Sequence, residues 1–108
     1  MYAYRKGSVT MVKEITKDNF DKEVIAANGK VLVDFWASWC MMLGPIVDEV
    51  SEKIDNVKFC KVNCDNDREL ALEYGINAIP CLLVFENGEI VNRSVGLVEE
   101  QDIVNLVK

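Results

Sequence analysis

The chain has 108 residues, 50% of them apolar, which makes one domain with enough apolar side chains to form a core without disulfide or metal staples. Twelve Lys and Arg stand against 18 Asp and Glu, and the net charge of −6 argues against unspecific binding to nucleic acid or anionic membranes, both of which it repels. There is no histidine, which removes the usual general base, zinc ligand and neutral-pH switch and leaves chemistry to cysteine, carboxylates, lysine and backbone.

Residues 1–10, MYAYRKGSVT, read as a polar arm without the apolar stretch of a secretory signal. Met11 opens the domain, 11–108. No apolar run approaches the ~20 residues of a membrane span. The expectation is a cytoplasmic chain, not bound to membrane or nucleic acid, with thiols kept reduced.

Residues 12–15 form a short strand candidate. Thr16 is placed to cap a helix whose apolar face carries Phe20, Val24 and Ile25, ended by Asn28-Gly29. Residues 31–36 are an apolar run interrupted by Asp34, the pattern of a central strand buried on both faces. Residues 42–54 place Leu43, Ile46, Val47, Val50 and Ile54 at helical spacing, and Pro45 inside that span predicts a kink. A second strand is expected over 57–62, a polar connection over 63–68 and a short helix over 69–74 ended by Gly75. A third strand follows over 81–85. Asn87-Gly88 predicts a two-residue hairpin into a strand over 89–95, and Gly96 breaks it. Ile103, Val104, Leu106 and Val107 mark a final helix. The order β-α-β-α-β-α-β-β-α predicts an α/β fold: a mixed central sheet flanked by helices on both faces.

Asp34 in an apolar run is expensive unless paired or functional, and Lys61 on the neighbouring strand is its expected partner. The cysteines stand at 40, 60, 64 and 81. Cys60 is expected to be buried and inert. Cys64, at a strand end, has the option of converging with Cys40 and Cys81, where soft thiolates would suit a metal or iron–sulfur centre. Thiol packing explains the same pattern with no metal and no cofactor, which is the reading preferred.

Three segments, VLVDFWASWC at 31–40, LGPIVDEV at 43–50 and YGINAIPCLLVF at 74–85, resemble the thioredoxin family in order and spacing. The resemblance covers roughly 12–108 and implies the thioredoxin fold. It also implies thiol–disulfide oxidoreduction of protein disulfides, thioredoxin reductase as a reducing partner, and a monomer. The family pattern Trp-Cys-Gly-Pro-Cys-Lys departs here to Trp39-Cys40-Met41-Met42, three residues short. Either Gly-Pro-Cys is missing behind Cys40 or Cys-Gly-Pro is missing before it. One redox cysteine remains at a helix start expected near Met41, so turnover is expected to be impaired. The resemblance further implies Asp34 and Lys61 as a proton-transfer environment. It gives Trp39, Ile79, Pro80, Cys81 and Gly96 as the substrate surface, with a cis bond before Pro80. Trp36 is expected in the core. Cys81 or Cys64 is a candidate replacement partner for Cys40, and Cys81, directly after Pro80, ranks first. The alternative is a non-catalytic module of the same fold that binds extended peptides, or a metal or iron–sulfur centre through Cys40, Cys64 and Cys81.

Overall fold

Alternation of side chains along β-branched and aromatic runs sets the architecture. The computed structural model describes residues 11–108. In chain order it contains β1 (Val12–Ile15), a π-helix (Asp21–Ile25), β2 (Lys30–Trp36), α1 (Gly44–Lys53), β3 (Val57–Asn63), α2 (Arg68–Glu73), β4 (Cys81–Glu86), β5 (Glu89–Val95) and α3 (Glu100–Leu106). The strands form one sheet in the order β1-β3-β2-β4-β5. β3 lies parallel to β1 and β2, while β4 runs antiparallel to both β2 and β5. This is the thioredoxin fold in the element order expected. The expected arm, 1–10, lies outside the described residues.

Each face of the sheet carries its own core. Val31, Val33, Phe35, Cys60, Val62, Cys81, Leu83 and Phe85 pack under the π-helix and α2. There Phe20, Tyr74 and Phe85 form a ring cluster with centroids 5.2–5.7 Å apart. Leu32, Phe59, Leu82 and Val84 pack on the other face with Leu43, Val47 and Val50 around α1 and Ile103 and Val107 around α3. Asp34 and Lys61 share this second face, opposite one another in the β2–β3 register. The chain thus delivers its one buried strand carboxylate to the underside of α1.

Three local expectations change. Thr16, Asp18 and Asn19 close their own turn, with Asp18 N–H donating to Thr16 Oγ1 at 3.2 Å and Thr16 N–H to Asn19 Oδ1 at 2.9 Å. That local bonding competes with the helix, which is reduced to the π-helix Asp21–Ile25. Lys58 ties this segment to β3, donating to Glu23 Oε1 at 2.6 Å and to the Glu23 carbonyl at 2.7 Å. Pro45 does not kink α1. It falls in the first turn, where the missing N–H had no partner to lose. The helix starts at Gly44 rather than near Met41, with Leu43 as its N-cap. At the hairpin, Asn87 and Gly88 take φ of 54° and 83°. The primed turn between two strands requires left-handed backbone at both positions.

Candidate active site

Trp36 ends β2, and the chain must turn at once to reach α1. Ala37 and Cys40 close that turn, Cys40 N–H donating to the Ala37 carbonyl at 2.8 Å. Ser38 at its tip is fastened to the β3–α2 connection. Its N–H and Oγ both reach Asp65 Oδ2, at 3.0 and 2.8 Å, and these bonds hold the Asp65 carboxyl below its usual range. Cys64 N–H donates to the Trp36 carbonyl at 2.7 Å and extends the same seam. Cys40 therefore sits half-buried in a pinned turn. It is three residues before the Leu43 N-cap, so it lies outside the helix's first turn, where sequence reasoning had put it.

Around the turn the surface is apolar. Trp39 is 74% exposed, Met41 58% and Met42 73%. Trp39, Cys64 and Ile79 line one shallow depression together with Ala71, Ile76, Asn77 and Ala78. The Ile79–Pro80 bond is cis. Gly96 N–H donates to the Pro80 carbonyl at 2.8 Å, and Gly96 needs its glycine because φ is +100°. Ile79 thus shares the depression with Trp39, whereas Pro80, expected on the surface, is buried and hydrogen-bonded to Gly96. Cys81 departs from that expectation: its side chain is 1% exposed and packed in the core with Phe35 and Val33. It offers no thiol to a surface ligand in this conformation. β4 alternation is the reason, because it turns residues 81, 83 and 85 inward to the same core.

The remaining thiols are held neutral. Burial pushes the Cys60 thiol up to about 11, and Cys60 is buried as expected. Burial and then the nearby Asp34 and Asp65 carboxylates push Cys64 to about 11. Burial also raises Cys81, partly opposed by the Arg93 guanidinium, which hydrogen-bonds to it. All four cysteines are free, so the expected Cys40–Cys81 replacement bridge is not made. Among the described residues no three His, Cys, Asp or Glu side chains cluster closely enough to hold a metal ion. The metal reading through Cys40, Cys64 and Cys81 therefore fails: Cys81 faces the core, whereas Cys40 lies in the surface turn.

Beneath α1, Asp34 is 2% exposed. Burial pushes its carboxyl from 3.8 up to about 7, with Lys61 pulling it down and Asp48 pushing it further up. Lys61, the expected partner, acts on Asp34 through its charge, Asp34 Oδ1 accepts no hydrogen bond, and the Lys61 Nζ lies 5.8 Å from the Trp36 ring centroid. Trp36 is only partly in the core, with its indole Nε1 buried and undonated. Asp48, Met41 and the Ser38–Asp65 latch were not foreseen as parts of this region. Their only sequence cues were an acidic residue one turn after Pro45 and the polar run at 63–67.

A mixed sheet with helices on both faces, a half-buried thiol in the turn between its central strand and α1, and a second half-buried thiol, Cys64, in the neighbouring apolar depression define an α/β domain with cysteines beside an apolar surface. The family model described as Thioredoxin matches residues 11–108. Similar proteins include the thioredoxin of Rickettsia felis, 39% identical over 101 residues, covering 90% of this chain and 96% of the relative. The thioredoxin of Pyropia yezoensis is 41% identical over 98 residues, covering 87% and 92%. Thioredoxin 1 of Synechococcus elongatus is 39% identical over 101 residues, covering 90% and 94%. The chain belongs to the thioredoxin family. No helix among the described residues is long and apolar enough to cross a membrane.

Proposed function

We propose that this protein is a thiol–disulfide oxidoreductase acting on protein disulfides through one surface thiol, Cys40, in an active-site loop three residues shorter than the family pattern. The observation that carries this reading is the contrast among the cysteines. Cys40 lies in the turn ahead of α1, whereas Cys60 and Cys81 are buried and Cys64 is held protonated by burial and acidic neighbours. In the first step the Cys40 thiolate attacks one sulfur of the substrate disulfide. The substrate S–S bond breaks, a Cys40–substrate disulfide forms, and the departing thiolate takes a proton. The Asp34 carboxyl, raised to about 7 beside Lys61, is suited to exchange that proton. Trp39, Ile79 and Gly96 offer surface to an extended substrate chain, and the buried Pro80 sets the cis backbone next to Ile79.

The second step needs another thiol. With Cys81 in the core, an external dithiol attacks the mixed disulfide, is itself oxidised, and returns Cys40 to the thiol. Thioredoxin reductase is the proposed cellular reducing partner, in a cytoplasmic monomer that needs no cofactor of its own. Cys40 lies three residues ahead of the Leu43 N-cap, outside the first turn of α1. That position favours a second reading: a module that holds extended peptides, or traps them through Cys40, without turning over. Insulin reduction in the presence of thioredoxin reductase and a reduced nicotinamide cofactor tests the proposal. The expected result is weak multiple turnover that rises on adding dithiothreitol and disappears in Cys40→Ser. Activity unaffected by Cys40→Ser would overturn the assignment of the thiol.

A further inference from the structure

Between the first turn of α1 and the β2–β3 pair lies a cavity of about 230 Å³, lined by Asp34, Trp36, Met41, Gly44, Pro45, Asp48 and Lys61. It reaches the surface at Met41, which is 58% exposed. Its walls combine an apolar body with charged groups of both signs. Two buried polar atoms on them have no partner in the protein: the acceptor Asp34 Oδ1 and the donor Trp36 Nε1. Asp34 and Trp36 are two apart in β2, so both face the cavity, roughly 7 Å apart along the strand. Desolvated polar groups of this kind gain most from a ligand that meets both at once.

The two orphaned atoms select among ligand charges. A cation meets Asp34 but offers nothing to the indole N–H. An anion meets the indole and Lys61 but faces Asp34 and Asp48. A neutral group carrying a donor beside an acceptor satisfies both. The volume exceeds the roughly 150 Å³ that admits a benzene ring. Trp36, Pro45 and Met41 supply the apolar contact that such a ring uses. We infer that this cavity binds a small neutral primary amide with an apolar or aromatic body, its N–H₂ on Asp34 Oδ1 and its carbonyl on Trp36 Nε1–H. The site shares Asp34 with the proposed proton exchange but needs no thiol, and it extends the function of the domain beyond disulfide exchange.

Benzamide is the probe. The readout is the indole N–H signal of Trp36 in ¹⁵N-labelled protein, with exposed Trp39, which does not line the cavity, as the internal control. Benzamide should move the Trp36 signal saturably and leave that of Trp39 in place. Asp34→Ala and Asp34→Asn, each confirmed folded by circular dichroism, should weaken binding at least tenfold. Asparagine tests whether an amide dipole replaces the carboxyl acceptor. Cys40→Ser should bind as the parent chain does, which separates failure here from failure of the thiol reading. Ethylbenzene should not reproduce the shift. No saturable shift with benzamide, with water alone in the cavity, would overturn the inference. So would equal binding of benzamidine or benzoate, or an unchanged affinity in both Asp34 variants.

Discussion

Asp34 and Lys61 stand directly opposite each other in the parallel β2–β3 register, yet Asp34 Oδ1 accepts no hydrogen bond. The lysine lowers the carboxyl pKa through space but does not overcome burial, which leaves it near neutrality at about 7. A buried carboxyl in that range changes charge under ordinary conditions, so its consequences are measurable both in stability and in proton exchange.

The stability effect has a definite sign. Between pH 3.8 and about 7 the folded chain keeps a proton on Asp34 that the unfolded chain has released. The stability Asp34 contributes is therefore full below pH 3.8 and is lost as pH rises through 7. A rise of this size corresponds to at most about 4 kcal/mol. Asp34→Asn, which carries no charge, should be more stable than the parent at pH 9. The gap should hold constant from pH 9 down to about 7 and then shrink toward pH 4. Urea unfolding at several pH values checks this. A gap that does not change with pH would show that Asp34 is not a buried titrating group.

The connection from β2 to α1 makes a register prediction. Leu43 is almost fully buried in the core beneath α1, while its neighbour Met42 is 73% exposed. Leu43→Ala should cost about 2–5 kcal/mol through the lost apolar contact and the cavity it leaves. Met42→Ala should change stability by less than about 0.5 kcal/mol. Chemical denaturation of the two variants measures both. The reverse ranking would mean that the loop delivers the chain to α1 one residue out of step.

Thiol reactivity should follow burial. With a small aromatic disulfide reagent, Cys40 should react in a fast phase. Cys60 and Cys81 should react at least ~100-fold more slowly, because they are exposed only when the core opens. Cys40→Ser should remove the fast phase alone. Air-oxidised protein should keep all four thiols titratable after unfolding, in line with the four free cysteines.

Several features were readable from the sequence because their chemistry is local. Asn87-Gly88 announces its turn through the positive φ both residues adopt. Strand alternation put Asp34 among apolar neighbours with Lys61 alongside, as the register bears out. Other features depend on how distant segments meet. Pro45 reads as a kink only while the helix is assumed to begin before it. The true start is Gly44, directly after Leu43, which is buried in the core. The Ser38–Asp65 latch joins two surface residues 27 apart in sequence, and neither is unusual in its own segment. The burial of the Cys81 thiol followed from β4 alternation, but the resemblance directed attention to the surface beside Pro80. Conversely, the π-helix replaced a helix whose apolar spacing was correct, because Thr16, Asp18 and Asn19 hydrogen-bond one another instead of continuing it.

The single-thiol mechanism is tested most directly by incubating the reduced protein with a peptide containing one disulfide and following the products by intact-mass spectrometry and peptide mapping. One adduct should form, on Cys40, and it should persist until dithiothreitol is added, then resolve to free protein and reduced peptide. Release of reduced peptide without any added thiol, or an adduct mapped to Cys64 or Cys81, would contradict it.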